Sequence, residues 1–273
     1  LPAQVSARPL AISRRALLGG TAASFLAAPW TPLRASSGVS VTAMIGEAHL
    51  HPKAKGPAKV WCYNGAVPGQ ALRVRQGERL AIDFSNALGE DTTIHWHGVR
   101  VPNNMDGHTL MMNPVPAGGS FDYSFQVQDA GTFWYHPHVR SDAQVEKGLY
   151  GALVVRAASE PMLTSERVVM LDDVYLDANG MPMPVGDMME LMVGRQGNLL
   201  LANGKARPIL NLRTGERHRV RLINAANARY FRLSLPGHKL TLLGIIYISR
   251  SIVLSFYFMA PPTPTTTLIF AAS

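Results

Sequence analysis

Short apolar runs separated by turn residues dominate the sequence from Val39 to about Arg156, and this pattern restricts the possible fold more than any other feature. The runs contain β-branched or aromatic residues with partial alternation of apolar and polar positions, which is typical of strands. Segments rich in glycine and proline separate these runs, and no stretch long enough for a helix has apolar residues at helical spacing. The strand-like runs are Ala71–Val74, Arg79–Phe84, Phe121–Val127 and Gly151–Val155. Many short strands with frequent turns predict an all-β, sandwich-type domain.

A second strand-rich stretch follows a linker-like segment, Ala157–Pro161. Its strand-like runs are Arg167–Asp172, Leu199–Ala202, Arg217–Asn224 and Tyr230–Leu235. The sequence LRVRQGERLAIDFSN (Leu72–Asn86) has an echo in LNLRTGERHRVRLIN (Leu210–Asn224), and both have a Gly-Glu-Arg turn between strand-like runs and end at Asn. We interpret the echo as an internal repeat of one sandwich type, with chance similarity as the alternative.

The N-terminus has the features of an export signal, which we predict over residues 1–35. The sequence SRR at residues 13–15 precedes an apolar run over residues 16–28, and LRA at residues 33–35 is an acceptable cleavage site. The paired Arg14 and Arg15 indicate the twin-arginine export machinery, and an ordinary secretory signal is the alternative. Either one predicts a periplasmic or otherwise exported protein. Because the chain begins with Leu1 rather than Met, we also expect a fragment or a processed form.

Charge and cysteine content exclude some classes of function. The formal net charge of +8 falls to +4 without residues 1–35, since 22 basic and 18 acidic residues then remain. This charge is too small to indicate a nucleic-acid partner. The single cysteine, Cys62, excludes an internal disulfide, and we expect it to pack as a small buried hydrophobe.

The character of the sequence changes abruptly after Gly244. Residues 245–273 contain no acidic residue, and Arg250 is their only charge. A membrane span needs about 20 apolar residues, which Leu240–Met259 nearly provides. Arg250 falls in the middle of this run, where a charge is costly, so we expect no stable membrane span. We interpret residues 245–273 as an aberrant tail, frameshifted or otherwise damaged, that makes few contacts with the second sandwich.

Two pairs of histidines carry the chemistry of the first sandwich. His95 and His97 lie in TIHWHG, and His136 and His138 lie in FWYHPH. Residues i and i+2 of an extended chain project to the same face, so each pair shares a face. If the two segments are neighbours, four imidazoles meet.

Metal binding explains two such pairs better than the alternative, in which the histidines are buried in the core with all their hydrogen bonds made. Imidazole suits zinc, copper, iron and nickel, and zinc sites often add cysteine or carboxylate ligands. Cys62 has no partner in a metal motif. A third H-x-H pair, His49 and His51, lies in a loop rich in proline and lysine and carries little weight.

The segments TTIHWHGVRVPNNMDG (residues 92–107) and AGTFWYHPHVRSDAQVEKGLYGALVV (residues 130–155) resemble the first two copper motifs of the multicopper oxidases. This family includes laccases, ascorbate oxidase and bacterial copper-efflux oxidases. The sequence LNLRTGERHRVRLINAANARYFRLSLPGHKL (residues 210–240) is similar to the second domain of the family. The resemblance extends from about Val39 to Gly244.

The resemblance implies cupredoxin-like Greek-key β-sandwiches, one complete over residues 39–156 and a second, incomplete one over residues 160–244. It also implies one-electron oxidation of a reducing substrate, a phenol or a metal ion, coupled to reduction of dioxygen to water at type 1, type 2 and type 3 copper centres. In this family's pattern His95 resembles the type 2 ligand, and His97, His136 and His138 resemble type 3 ligands. Asp106 occupies the place of a catalytic acid that relays protons, and a simple turn aspartate is the alternative.

The sequence also departs from the family's pattern. The family's H-x-x-H-x-H motif and its H-C-H motif, whose cysteine holds the type 1 copper, are both missing. The chain therefore contains half of the trinuclear copper ligands, and we expect little or no oxidase activity from it alone. A non-catalytic periplasmic copper-binding protein is the alternative function.

Other residues that attract notice have weaker interpretations. Met181–Met192 holds five methionines in twelve residues. Thioethers favour Cu(I), and adaptable packing is the alternative. We expect Trp96 and Trp134 to shield and orient ligands. His108, His218 and His238 match no ligand motif and are expected to be surface or core residues.

Overall fold

Strands account for nearly all the regular structure in the computed structural model, which describes residues 38–51, 54, 56–160, 165–183, 186–210, 213, 215–234, 240–248, 251–259 and 269–272. The helices in this part of the chain are α1 (Ser141–Gln144), α2 (Met188–Val193) and a 3-10 turn at Asn103–Met105. The predicted all-β class is therefore confirmed. None of these helices is long and apolar enough to cross a membrane. The export signal predicted over residues 1–35 lies outside the described residues.

The first sandwich consists of two mixed sheets. Its strands are β1 (Val39–Ala48), β2 (Ala58–Tyr63), β3 (Gly69–Arg75), β4 (Arg79–Asn86), β5 (His95–His97), β6 (Ser120–Gln126), β7 (Gly131–His136) and β8 (Gly151–Arg156). One sheet has the order β2-β1-β4-β6 and the other has the order β3-β8-β7-β5. In both sheets one neighbouring pair is parallel, β1 with β4 and β3 with β8. The chain therefore crosses repeatedly between the two sheets, and each predicted strand of this region is present.

Alternation along the strands builds the core between these sheets. In β4, Leu80, Ile82 and Phe84 are buried, whereas Arg79 and Asp83 are exposed. Such alternation places one face of each strand on the core and leaves the other to solvent.

Aromatic side chains fill the middle of this core. Trp96 of β5 is fully buried, and its ring centroid lies 5.5 Å from that of Tyr123 and 5.2 Å from that of Phe125. Aromatic pairs at these distances add to the free energy gained by burial alone. This packing fixes which face of β5 points inward.

The second sandwich has the strands β9 (Ser165–Val174), β10 (Leu199–Ala202), β11 (Arg217–Asn224), β12 (Phe231–Ser234), β13 (Thr241–Ile248), β14 (Ser251–Met259) and β15 (Ile269–Ala272). One sheet has the order β10-β9-β11-β14-β13, and β12 pairs with β15 separately. The four strand-like runs predicted here correspond to β9, β10, β11 and β12.

The structure supports an internal repeat. The two echoing sequences end in β4 and β11, and each of these strands pairs in parallel with the first strand of its own sandwich. The terminal asparagines also behave alike. Asn86 accepts a hydrogen bond from the Leu88 N–H at 3.0 Å, and Asn224 accepts one from the Ala226 N–H at 3.0 Å. Both are turns closed by an asparagine side chain, so the matched sequences build the same local structure.

The expectation that residues 245–273 make few contacts with the second sandwich is wrong for the described part of that segment. β14 lies between β11 and β13 and pairs with both in antiparallel register. The sequence of β14, SIVLSFYFM, is rich in β-branched and aromatic residues, which favour strands. A lack of charge, which marked the change in composition, is compatible with a central strand. The second sheet therefore continues past Gly244.

An apolar cluster joins the two sandwiches. Trp134 and Tyr150 of the first sandwich pack with Met170 and Ile223 of the second. A neighbouring cluster contains Cys62, which is fully buried. The prediction that this cysteine packs as a hydrophobe is confirmed.

Arginine–glutamate ion pairs reinforce the contact between the sandwiches. Oε1 of Glu166 in β9 lies 2.6 Å from Nη1 of Arg73 in β3 and 3.2 Å from Nη2 of Arg156 in β8. Arg221 of β11 donates to Glu166 at 2.9 Å and to the Thr132 hydroxyl of β7 at 2.8 Å. Burial acts to raise the pKa of Glu166, but the hydrogen bonds from Arg73 and Arg221 outweigh it and lower the pKa to about 2.

Buried carboxyl groups lie at the same junction. Burial raises the pKa of Glu146 to about 7, although the Arg195 guanidinium at 3.1 Å opposes the rise. Burial and the nearby Glu146 charge also raise the pKa of Asp172 well above its usual range. Its carboxylate accepts a hydrogen bond from the Tyr150 hydroxyl at 2.7 Å. This junction therefore holds carboxyl groups that favour the protonated form.

The contribution of Glu146 to the stability of the protein should fall as the pH rises from about 4.5 to about 7. A carboxyl group whose pKa is higher in the folded than in the unfolded state keeps a proton that the unfolded chain has lost. Between about pH 4.5 and 7 the raised pKa of Glu146 should lower the free energy of unfolding by about 3 kcal/mol. Urea unfolding at several pH values measures this slope.

Glu146→Gln should remove this contribution, because the substituted side chain does not titrate. The free energy of unfolding of the variant relative to that of the wild-type chain should therefore rise between about pH 4.5 and 7. The matched control is Glu166→Gln, since the carboxyl of Glu166, with a pKa of about 2, is ionised throughout this pH range. The control should reduce stability and leave the slope unchanged. An unchanged slope in Glu146→Gln would contradict the account of the junction.

Gly107→Ala should destabilise the protein by at least about 3 kcal/mol. Gly107 has a φ of +77°, and an added Cβ would lie 2.0 Å from the Ile94 carbonyl oxygen, next to β5. Gly118→Ala is the matched control, because Gly118 has a φ of +74° and an added Cβ there would have no atom within 4 Å. The control should lose only the free energy needed to hold an alanine in the left-handed backbone conformation, about 1 to 2 kcal/mol. Thermal and urea unfolding measure the loss of stability in each variant. Equal losses would show that Gly107 does not pack closely against the Ile94 carbonyl.

Candidate metal centre

The pairing of β5 with β7 brings the two histidine pairs together. In this antiparallel ladder His95 lies directly opposite His136, and His97 lies opposite Trp134. Trp96 points to the opposite face, into the core. The expectation that the two H-x-H segments are neighbours is therefore met, and the imidazoles collect on the outer face of β5.

The four rings form a compact group. The centroid of His95 lies 5.7 Å from that of His97, 5.3 Å from that of His136 and 5.1 Å from that of His138. In His95, His97 and His136, one ligand atom of each residue lies within 4.8 Å of those of the other two. We name these three residues the inner group. His138 adjoins the inner group without sharing its spacing.

Hydrogen bonds to backbone carbonyls set the tautomers of His95 and His136, two members of the inner group. Nδ1 of His95 donates to the Asp106 carbonyl oxygen at 2.9 Å, and Nδ1 of His136 donates to the Pro137 carbonyl oxygen at 2.8 Å. A carbonyl oxygen only accepts, so Nε2 of each ring keeps its lone pair. His97 Nδ1 lies 3.2 Å from His136 Nε2. Such bonds on the far nitrogen commonly orient metal-binding histidines.

The Asp106 carboxylate also faces His95. Its Oδ2 lies 3.4 Å from His95 Nδ1, beside the hydrogen bond to the Asp106 carbonyl. Asp106 ends the 3-10 turn at Asn103–Met105 and precedes Gly107. It therefore contacts a predicted ligand through both its backbone and its side chain.

The surroundings favour neutral imidazole in two of the rings. Burial, followed by the nearby His95 and His97, lowers the pKa of His136 well below its usual value. Burial, followed by His108 and His95, lowers the pKa of His138. Metal ions bind the neutral form of histidine, so little competition from protons is expected near neutral pH.

Trp134 supports the inner group from one side. Its ring stacks on His136 with a centroid distance of 4.1 Å and lies 5.0 Å from His97. Trp96 packs away from the histidines in the core. Trp134 thus has the contacts expected of a shielding residue, whereas Trp96 orients β5 from the opposite face.

Buried polar contacts hold the start of β5. The Ile94 N–H donates to the Tyr123 hydroxyl at 2.9 Å, and Thr92 donates to the Gln144 side chain of α1 at 2.7 Å. The His138 N–H donates to the Thr93 hydroxyl at 3.0 Å. None of these supports was found by sequence reasoning, because each joins positions far apart in the chain.

His108 is the residue near the site that sequence reasoning missed. Its ring centroid lies 4.0 Å from that of His138. The only signal in the sequence was its place two residues after Asp106. His218, by contrast, is a core residue as expected, with its Nε2 3.0 Å from the Arg213 carbonyl oxygen. His238 lies outside the described residues.

The methionine-rich segment lies mainly at the surface. Met183, Met188, Met189 and Met192 are exposed, and Met181 packs against the cluster that contains Cys62. Adaptable packing therefore accounts for Met181 and leaves the other four unexplained.

Comparison with known proteins gives the family. The sequence matches two family models described as multicopper oxidase, over residues 44–160 and 166–245. The multicopper oxidase MmcO of Mycobacterium tuberculosis is 31% identical over 239 residues, which cover 76% of this chain and 47% of that protein. Copper resistance protein A of Escherichia coli is 32% identical, with 65% of this chain and 37% of that protein covered. The chain thus spans about half the length, or less, of these relatives.

Solved structures of similar proteins agree in fold. The crystal structure of a multi-copper oxidase from Pseudomonas thermotolerans has a TM-score of 0.79 and 32% identity, and covers 86% of this chain and 63% of that one. The Campylobacter jejuni multicopper oxidase, described as a metallo-oxidase, has a TM-score of 0.70 and 32% identity, with 81% and 50% covered. The predicted cupredoxin-like sandwich fold is confirmed by this likeness.

Both halves of the described chain match one family in sequence and in fold, and the histidines that resemble its copper motifs meet where β5 pairs with β7. The chain belongs to the multicopper oxidase family, a family of copper-dependent oxidoreductases.

Proposed function

We propose that this chain is the copper-binding part of an oxidase that couples one-electron oxidation of a reducing substrate to the reduction of dioxygen to water. One observation carries the proposal, the β5–β7 register that sets His95 opposite His136. This register gathers three imidazole ligand atoms within 4.8 Å of one another.

The donor set fits copper. Three imidazoles, with a fourth in His138 beside them, match a copper site, and no thiolate or carboxylate belongs to the inner group. The lone pairs of His95 and His136 lie on Nε2, and both rings are held by backbone carbonyls. When bound, copper supplies the redox centre that no protein side chain here provides.

The division of roles among the ligands follows the family's motifs. His95 is proposed as the type 2 ligand, and His97, His136 and His138 as type 3 ligands. The type 1 centre requires a His₂Cys set. The only cysteine, Cys62, is fully buried and its Sγ contacts the Met44 carbonyl oxygen at 3.5 Å, in an apolar cluster. The domains are proposed as 39–156 for the complete sandwich and 160 onward for the second, which β14 extends beyond residue 244.

Asp106 is proposed to have two roles, to orient His95 and to deliver protons during the reduction of dioxygen. Its carbonyl fixes the tautomer of His95, and its carboxylate lies 3.4 Å from the same ring. Reduction of dioxygen consumes protons, and a half-buried carboxylate beside a ligand is suited to deliver them. The reducing substrates proposed for the whole protein are phenols or metal ions.

Export is proposed through the twin-arginine machinery. The basis is the sequence over residues 1–35, with Arg14 and Arg15 before an apolar run. Copper resistance protein A is the name carried by several relatives. We propose a periplasmic location on these grounds.

His136→Gln should lower the affinity of the chain for Cu(II) at least about 10-fold. His136 is the most buried member of the inner group and contacts both His95 and His97. Competitive calorimetric titration with a chelator of known affinity measures the loss. His49→Gln is the matched control, since it removes an exposed imidazole from the loop after β1.

The control should bind copper like the wild-type chain. Equal losses in both variants would show that copper binds histidines without regard to the inner group. An unchanged affinity in His136→Gln would overturn the proposed site.

The copper-loaded chain should show no intense blue absorption and no sustained oxygen consumption with a phenol. The blue colour requires a copper–thiolate bond in a His₂Cys set, and Cys62, the single cysteine of the sequence, is fully buried in an apolar cluster and is flanked in the sequence by Trp61 and Tyr63. A visible spectrum and an oxygen electrode test this directly. A non-catalytic copper-binding protein would also bind copper tightly without turnover. The two functions are separated by the same assay on a chain extended with a domain that carries the family's H-x-x-H-x-H and H-C-H motifs, where turnover supports the oxidase. Turnover by this chain alone would contradict the account.

A further inference from the structure

His138 differs from the inner group in how its position is fixed. His95, His97 and His136 belong to β5 and β7, where the ladder of backbone hydrogen bonds sets the direction of each side chain. His138 lies two residues beyond the end of β7. Its backbone is held by the bond from its N–H to the Thr93 hydroxyl at 3.0 Å. Its ring is therefore oriented by a hydrogen bond to its own backbone and by contacts with neighbouring side chains.

His108 is the ring closest to His138. Their centroids lie 4.0 Å apart with the planes tilted by 44°, compared with 5.1 Å from His138 to His95 and 6.5 Å to His136. Both side chains are partly buried. A ring contact this close restricts rotation of the His138 side chain.

The turn that carries His108 is itself firmly anchored. The His108 carbonyl oxygen accepts bonds from the Met111 N–H at 2.8 Å and the Met112 N–H at 3.1 Å. Its Nδ1 accepts a bond from the Leu110 N–H at 3.1 Å. Gly107, immediately before it, packs against the Ile94 carbonyl. Because Nδ1 of His108 accepts the bond from the Leu110 N–H, the neutral ring carries its proton on Nε2, and the contact of His108 with His138 is one of tilted ring packing.

We propose that His108 is a positioning residue for His138, and that it acts through ring packing and not as a metal ligand. This inference rests on the proposed copper site and assigns a role that the copper motifs do not contain. Ordering a ligand before the metal arrives removes the entropy cost of fixing its rotamer during binding. Residues that orient a ligand typically affect metal affinity by about 10- to 100-fold.

Three variants test the proposal by Cu(II) affinity, measured by chelator competition and with thermal unfolding as a check on folding. His108→Ala removes the ring, and His108→Phe keeps a ring without nitrogens. His138→Ala removes the ligand that His108 is proposed to orient. Copper alone is the probe, so no oxidase activity is needed.

The expected result is a loss of about 10-fold for His108→Ala and less than about 3-fold for His108→Phe. In a chain that already carries His138→Ala, the further change His108→Ala should have no effect, because its target is gone. The electron paramagnetic resonance spectrum of Cu(II) should be the same in the wild-type chain and in His108→Phe.

Three outcomes would overturn the proposal. An equal loss in His108→Phe and His108→Ala would show that the nitrogens of His108, and not its ring packing, determine the copper affinity. Additive losses in the double variant would show that His108 does not act through His138. Full affinity in His108→Ala would show that the ring contact does not matter. If the wild-type chain bound no copper, the proposed function would fail as well, whereas the first three outcomes leave it intact.

Discussion

The register of β5 against β7 is the constraint on which the candidate site depends. Because side chains alternate across a strand, a shift of one residue would turn the histidines of β5 inward and place Trp96 outside. The core prevents this shift. Trp96 is fully buried among aromatic rings, and exposing it would forfeit the free energy of burying one of the largest side chains in the protein. The hydrophobic core thus fixes the geometry of a polar site on the opposite face of the same strand.

The inner group is supported by a second layer that comes from distant parts of the sequence. The Asp106 carbonyl sets the tautomer of His95, and Gly107 lets this turn approach β5 closely. Trp134 stacks on His136 and also enters the apolar cluster shared with the second sandwich. The candidate metal centre and the contact between the sandwiches therefore share the side chain of Trp134. A substitution at the junction that moves Trp134 should also move the histidines that it contacts.

Sequence patterns predicted the strands, the all-β class and the meeting of the two H-x-H pairs, because these features depend on local alternation and on i, i+2 spacing. The repeat was also visible, since Asn86 and Asn224 close equivalent turns. The sequence does not predict the role of β14, because its unusual composition resembles a break in the fold, whereas a central strand needs only backbone partners and apolar side chains. The contact of His108 with His138 was invisible because it joins residues that share no spacing rule. Pairwise contacts of this kind depend on the turn geometry at Gly107, which single-sequence patterns do not specify.

Anomalous diffraction at the copper absorption edge, from crystals of the chain soaked in Cu(II), tests the central claim most directly. The account predicts that the strongest anomalous peaks lie within bonding distance of the imidazoles of His95, His97, His136 and His138. Trp96 should remain buried on the opposite face of β5 in the same crystals. A strongest peak at the exposed methionines of residues 183–192, or no peak near β5, would contradict the claim that the β5–β7 register builds a copper site.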